Sequence, residues 1–449
     1  MMDKLESVLT PIAEKLTNNK VLLAIRDGFL ISTPLIIVAS IFLLIANFPV
    51  PGYSEFFARF FGEGWESNLT VVSNATFNLI ALLNVIGIGY AYAQQLKVSA
   101  IAGGVLSMVN YLILTPQIHP EFTNADGNPF TGFSFTNLGS VGLFLAMITA
   151  LISVRVFAYA EHKGWVIKLP EGVPPAVMES FAALIPSMVA IILFFLIRLG
   201  FSMTSYKFAQ DFIYTILQTP LMGLGESYLF QPIYTFFSTM FWFFGINGPA
   251  VTNTIFAPIH QAMTVANLEA FQAGEDLPYI FTGAFSNFFS NYGGGGSTLS
   301  LVILMLLFAK SERMKKLGAL SIVPGIFGIN EMIIFGLPIV LNPVIIIPFI
   351  AVPLLNNFIS IAATAVGIIP RTTGISLPWT TPIFFSGWLS TGSIFAGVFQ
   401  IGLLIMGILV YYPFFKILDK QYLEEQAEAK EKTDDLDDIS LDDISFEDL

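Results

Sequence analysis

The 449-residue sequence contains no cysteine. Disulfides, thiolate nucleophiles and cysteine-ligated metals are thereby excluded. Histidine is scarce as well: His119, His162 and His260 lie far apart and form no HExxH pair, so no metal site is expected. Charged residues make up only 12% of the chain, against roughly 25% for a soluble domain. The glycine run 293–296 is followed by no GK[ST] and is therefore not a P-loop. The N-terminal stretch MMDKLESVLTPIAEKLTNNK lacks the apolar core of a signal peptide. It reads as a short amphipathic helix at a membrane surface or as a lead-in to the first span. No cofactor and no nucleic-acid partner is expected.

What the sequence does have is apolar length. Hydrophobic residues reach 55%, and Phe alone occurs 44 times. The apolar runs approach the roughly 20 residues that a spanning helix needs, whereas a barrel would show short alternating segments. The expected fold is an all-α polytopic membrane protein. Clear spans are read at 29–48, 68–93, 99–114, 137–160 and 174–197, and a last one at 395–415. Between them, residues 201–420 are interrupted repeatedly, at GINGP, at GGGG and at Pro324, Gly325, Gly328, Gly336, Pro338 and Pro343. Broken helices at membrane depth are tolerated where they line a cavity or pack inside protein, and secondary transporters use such breaks to hold solute. Residues 1–200 are accordingly expected to form a scaffold and 201–420 the solute-handling part.

Lysine and arginine cluster in the N-terminal lead (Lys4, Lys15, Lys20, Arg26), in KSERMKK (310–316) and at Lys416 and Lys420. Positive charge marks the cytoplasmic side. Both termini are therefore expected there, which requires an even number of spans, about ten. The formal net charge of −12 is mostly a tail effect, since residues 424–449 hold twelve acids and two lysines. Residues 421–449 read as an acidic cytoplasmic tail that begins helix-like and ends as a disordered LDDIS repeat, because blocks of like charge repel.

Glu331, in GINEMIIFGLP, is the only acid between Glu312 and Asp419. A carboxylate at membrane depth costs several kcal/mol on insertion scales unless paired or hydrated. Three readings stand: a ligand-binding group, a cap on broken-helix N–H groups, or a site of ion or proton coupling. Polar clusters surround it in the interrupted half. One is Trp242, Asn247 and Asn253; a second is Asn287, Asn291, Tyr292 and Ser297; a third is Asn330, Glu331 and Asn342, with Arg371 and Trp379 further on. Amides, one acid and exposed backbone suit a neutral, hydroxyl-rich solute, and Trp242 and Trp379 offer apolar faces for a pyranose ring. A carboxylate beside a sugar hydroxyl can also act as a general base.

Five ordered motifs carry a resemblance: IRDGFLISTPLIIVASIFLLI (25–45), LPEGVPPAV (169–177), FFGINGPAV (243–251), GINEMIIFGLP (328–338) and LPWTTP (377–382). Together they resemble the membrane IIC component of the phosphoenolpyruvate-dependent sugar phosphotransferase system, in its lactose/cellobiose/diacetylchitobiose branch. The resemblance implies a homodimer in the bacterial plasma membrane, with an N-terminal dimerisation domain. It also implies a C-terminal transport domain carrying two re-entrant hairpins and moving as an elevator. The substrate implied is a β-linked disaccharide, phosphorylated at C6 by a separate IIB protein that is itself charged on cysteine by IIA. Glu331 then matches the family's glutamate beside the C6 hydroxyl, and is the expected catalytic helper. Substrate binding is expected from Trp242, Asn247, Asn291, Gly295, Ser297, Asn330, Glu331 and Trp379. At Asn247 the family usually reads GIHG, whereas this chain reads GING. Asparagine can bond a hydroxyl but cannot titrate near neutral pH. An ion-coupled secondary disaccharide transporter using Glu331 for coupling remains the alternative.

Overall fold

The computed structural model of the chain describes residues 11, 15–16, 18–123, 127–167, 169–170, 173–337, 339, 342 and 344–437. The long helix α1 (Lys20–Ala46) starts nine residues before the expected span. Asn19 caps it, accepting from the N–H groups of Val21 and Leu22 at 2.9 and 3.2 Å. The extra turns hold Arg26 and Asp27, which pair with each other at 2.7 Å. The buried face of α1 is made largely of small residues: Ala24, Gly28, Ser32, Ala39, Ser40 and Ala46. This face meets α4 (Ile80–Leu96), which follows two short helices, α2 (Tyr53–Phe61) and α3 (Glu66–Asn74). At the crossing, a Cβ on Gly28 would lie 2.5 Å from the Ile88 nitrogen, and one on Gly87 would lie 2.6 Å from the Gly28 carbonyl. Such backbone approach is how small residues associate helices where no hydrophobic driving force exists. Ser32 adds a hydroxyl bond to the Asn84 side chain at 2.8 Å.

Helix α5 (Ala100–Leu114) packs on α4, and a β-hairpin follows, β1 (Ile118–Thr123) against β2 (Pro129–Thr131). Helix α6 (Leu143–His162) packs on α4 and α5, and α7 (Leu184–Ser202) packs on α5 and α6, completing a first group. A second group contains α8 (Phe230–Phe243), α9 (Gly248–Ala273), α10 (Leu299–Phe308), α11 (Glu312–Ile326), α12 (Glu331–Gly336), α13 (Ile346–Ala365) and α14 (Ile394–Asp437). One apolar cluster spans the two groups, while a separate one around Trp242, Ile333, Phe349 and Tyr411 lies within the second. Ile36, Phe77, Tyr111 and Phe144 of the first belong to the same buried cluster as Met263, Phe281, Phe289 and Ile375 of the second. Polar bonds cross the same boundary. The Ser376 N–H donates to the Ser40 hydroxyl at 3.0 Å, and the Ser140 hydroxyl donates to the Glu269 carboxylate at 2.6 Å.

Among the described residues, six helices are long and apolar enough to cross a membrane: Lys20–Ala46, Glu66–Leu96, Ser140–His162, Ser180–Ser202, Ile346–Ala365 and Ile394–Glu428. The count is seven if Gly283–Ser297 and Leu299–Phe308, bent by 53° at their junction, form one span. The sequence reading expected about ten. Helices α5 and α8 have only 15 and 14 residues. Helix α9 has 26 residues but carries Thr, Asn, Gln and His along its length. Leu30, Leu35, Val38 and Ile45 on α1 and Leu184, Ile192, Phe195 and Leu199 on α7 face outward, a surface suited to lipid rather than water.

Helix α14 runs unbroken through the apolar span and into the acidic tail as far as Asp437. The tail thus continues as helix for longer than expected, with Lys420 and Glu424 paired at i,i+4. The LDDIS repeat beyond residue 437 and the amphipathic lead at residues 1–10 lie outside the described residues.

Candidate functional site

Three chain breaks in the second group come together. The first follows α8, whose last turn carries Trp242. The chain turns at Gly245 (φ 74°) and re-enters helix at α9, capped by Asn247. The Asn247 side-chain oxygen accepts from the Ala250 N–H at 3.1 Å, the arrangement for which asparagine is among the best N-cap residues. Asn247 itself is exposed, and its amide nitrogen is not used in the cap.

The second break is the glycine run. A short helical stretch capped by Thr282 opens into a π-helical turn, Ser286–Ser290, and then unwinds. Gly293, Gly294 and Gly296 take φ values of 67°, 93° and 77°, a region open to glycine and strained for other residues. Space makes the same demand. A Cβ on Gly294 would lie 2.6 Å from Asn330 Cγ, and one on Gly296 would overlap the Phe349 ring. Ser297 also has positive φ, 53°. It is fully buried, donating to the Ser290 carbonyl at 3.2 Å and accepting from Asn356 Nδ2 at 3.0 Å.

The third break is GINE. Helix α11 ends at Ile326, Gly328 turns the chain at φ 77°, and α12 restarts at Glu331. Asn330 Nδ2 donates to the Gly295 carbonyl at 2.7 Å and to Thr298 Oγ1 at 2.9 Å. The glycine loop and the GINE turn are thereby locked together. Tyr411, from α14, donates to the Gly296 carbonyl at 2.7 Å and fixes the loop from behind.

Two open positions remain around this lock. The Trp242 indole N–H is buried and has no partner among the described residues. It lies 3.3 Å from where a Cβ on Gly295 would stand, so glycine leaves space in front of it. Asn291 likewise has a buried, unpartnered side-chain oxygen. Trp379 is 58% exposed; its ring edge and carbonyl lie 3.7 and 3.6 Å from a Cβ built on Gly328. Glu331 is exposed, and among the described residues no protein group bonds its carboxylate.

Of the residues expected from sequence, the structure therefore brings together Trp242, Gly295, Asn330 and, through the GINE turn, Glu331 and Trp379. Asn291 sits at the entry to the same loop. Asn247 is five residues beyond Trp242, on the adjoining turn. Ser297 spends its hydroxyl inside the protein. Arg371 is not in the cluster: it donates to the carbonyls of Leu277 and Pro278. Supporting residues not singled out from sequence are Asn356, Tyr411 and Asn357, which accepts from the Ser290 hydroxyl and donates to Thr235 Oγ1 at 2.7 Å. Asn356 and Asn357 had a signal, an amide pair inside the apolar run LLNNF; Tyr411 had none.

The chain matches the family described as "Phosphotransferase system, EIIC" over residues 26–353. It is 39% identical over 430 residues to the lichenan permease IIC component of Bacillus subtilis (strain 168), covering 95% of each chain. It is 39% identical over 431 residues to the cellobiose-specific EIIC component of Geobacillus stearothermophilus, covering 94% of this chain and 96% of that one. Among solved structures, it superposes on the transporter ChbC, the IIC component from the N,N'-diacetylchitobiose-specific phosphotransferase system. The TM-score is 0.90 at 41% identity, over 94% of this chain and 99% of that one. With a family match across most of its length and relatives near 40% identity end to end, the chain belongs to the EIIC family of phosphotransferase-system membrane permeases.

Proposed function

We propose that this permease binds a β-linked disaccharide of the cellobiose or diacetylchitobiose kind and carries it to the cytoplasmic face, where a phosphorylated IIB partner modifies it. The observation that carries the reading is a buried Trp242 N–H without a partner among the described residues, beside the Asn330–Gly295 lock, with the exposed Glu331 next to Asn330 on the GINE turn. A sugar supplies both missing partners, since a hydroxyl both accepts and donates. Trp242 and Trp379 flank the ring, while Asn247, Asn291, Gly295 and Asn330 address its hydroxyls. Ser297 shapes the loop through its buried bonds.

In the phosphoryl step the C6 oxygen attacks phosphorus on the IIB cysteine. The S–P bond breaks, the O–P bond forms, and the hydroxyl proton passes to Glu331. Alignment is the membrane chain's contribution to such transfers. Asn247 bonds the hydroxyl without exchanging its proton, which leaves Glu331 as the only titratable group of the proposed set.

The reading includes two assemblies within the chain, residues 1–200 for dimerisation and 201–420 for transport, with 421–449 as a cytoplasmic extension. The second assembly carries two re-entrant hairpins, one of them at the bent pair 283–308, about ten spans place both termini in the cytoplasm, and this assembly moves as an elevator. The homologous relatives' substrates support the sugar class.

Vesicles containing only this protein provide the test. Facilitated equilibration of a β-linked disaccharide, with accumulation only when IIA, IIB and the phosphoryl donor are inside, is expected. Concentrative uptake driven by an ion gradient alone would establish the ion-coupled mechanism instead.

A further inference from the structure

Helix α6 belongs to a segment, Ser140–His162, that is long and apolar enough to cross a membrane. Arg155 stands inside it, about 10 Å before its end. The side chain is not turned into the protein. Arg155 is exposed, as are Ile152 and Tyr159 on the same face. A guanidinium on the outside of a spanning helix is costly in hydrocarbon and reaches for the interface. The chain supplies no anion to meet it. The ion pairs among the described residues lie elsewhere, and Arg155 makes no hydrogen bond with them.

Arg155 opens onto a cavity of about 260 Å³ between the ends of α4 and α6. Leu96 of α4 and Ala158 supply apolar wall; Tyr159, His162 and Lys163 supply the rest. Arg155, Tyr159 and Lys163 are spaced i, i+4, i+8 and so form one stripe. The Lys163 ammonium lies over the Tyr159 ring, 5.8 Å from its centroid. Trp165 meets the same ring edge-on at 6.1 Å. Tyrosine and tryptophan concentrate at the level of lipid headgroups, so this end of α6 carries its cations at phosphate height. No carboxylate lines the cavity: Glu161 precedes His162 in the chain but is not part of the wall. Lys97, the residue after Leu96, is one more exposed cation without an ion pair among the described residues.

We propose that this cavity binds the headgroup phosphate of an anionic phospholipid. Arg155 presents its planar fork to two phosphate oxygens and Lys163 adds a point charge. Tyr159 and His162 offer further hydrogen bonds, and the acyl chains run down the apolar face at Ile152. Basic pockets between spanning helices suit such headgroups because the anion removes the repulsion among unpaired cations. The inference needs only that α6 crosses the bilayer. It is independent of the sugar reading and of the side on which α6 ends.

The test is a native mass-spectrometric titration of the purified full-length protein in detergent with phosphatidylglycerol, phosphatidylcholine and inorganic phosphate. Phosphatidylglycerol is expected to bind about tenfold more tightly than phosphatidylcholine. Arg155→Gln and Lys163→Gln should each weaken it about fivefold, the share of one basic residue beside an anionic lipid. Arg155→Lys keeps the charge and should keep most of the preference. Lys420→Gln, which removes a cation from α14, should leave binding unchanged. Thermal unfolding in lipid-free detergent checks that each variant is folded, and Arg155→Lys and Lys163→Gln carry the test if Arg155→Gln is not. Equal binding of the two lipids overturns the site, as does unaltered phosphatidylglycerol binding in the glutamine variants. Saturation by inorganic phosphate at the same concentration overturns the lipid assignment in favour of a soluble phosphate. Conversion of a dimer to a monomer in the glutamine variants, with lipid retention unchanged, overturns it by making this face an interface between copies.

Discussion

Replacing Glu331 by glutamine changes one charge and almost no volume. The carboxylate is exposed, stands at the first position of α12, and has no protein partner among the described residues. Its removal should therefore leave folding nearly untouched, within the about 0.5 kcal/mol typical of surface substitutions. Binding should respond very differently. A hydrogen bond to a charged group contributes about 1.5–3 kcal/mol, so affinity for the disaccharide should fall roughly 10- to 150-fold. Glu331→Asp keeps the charge but retracts it by one methylene, and should lie between the two. Glutamine also cannot take a proton, so transfer from phosphorylated IIB should slow by a further factor of roughly 10² to 10⁴, the usual contribution of a positioned base. Calorimetry and thermal unfolding in the same detergent, followed by a single-turnover phosphorylation assay, separate these effects. Unchanged sugar affinity would refute the contact. A marked drop in melting temperature would refute the premise that the carboxylate is unpartnered.

Other positions give independent tests. Asn247→Ala removes the cap of α9 and should cost about 1 kcal/mol of stability, whereas Asn247→Ser should restore it. In binding, Asn247→Ala should weaken sugars with a free C6 hydroxyl more than their 6-deoxy analogues, and equal losses would reject that contact. Gly296→Ala combines a left-handed backbone with overlap of the Phe349 ring. The expected cost is roughly 2–5 kcal/mol, seen as lower thermal stability. Gly402→Ala, on α14 with open space around it, should be neutral or slightly stabilising. Asp419 is buried and accepts from the N–H groups of Lys310 and Ser311 at 2.9 and 3.0 Å and from the Ser311 hydroxyl at 2.7 Å. Asp419→Asn should speed amide hydrogen exchange over residues 310–315, at the start of α11, while exchange in α5 stays as it was.

Some of this was fixed by local composition. The helical membrane class follows from apolar run length, because in lipid a segment must satisfy its own backbone. The breaks at GINGP, GGGG and GINE could be placed from sequence because glycine and proline act on the backbone where they stand. Glu331, Asn330 and Trp242 were legible as polar or amphipathic residues in apolar surroundings. Tertiary structure alone decided what required distant residues to meet. It showed that Asn330 reaches back 35 residues to hold Gly295, and that Tyr411 secures the same loop from 115 residues away. It turned the Ser297 hydroxyl inward and sent Arg371 to a pair of carbonyls elsewhere. It also placed Arg26 and Asp27 inside a helix that hydropathy would begin after them. Hydropathy and turn chemistry are properties of neighbours along the chain. Which amide finds which carbonyl depends on how whole helices cross, and α1 and α4 cross where they do because Gly28 and Gly87 leave the room for it.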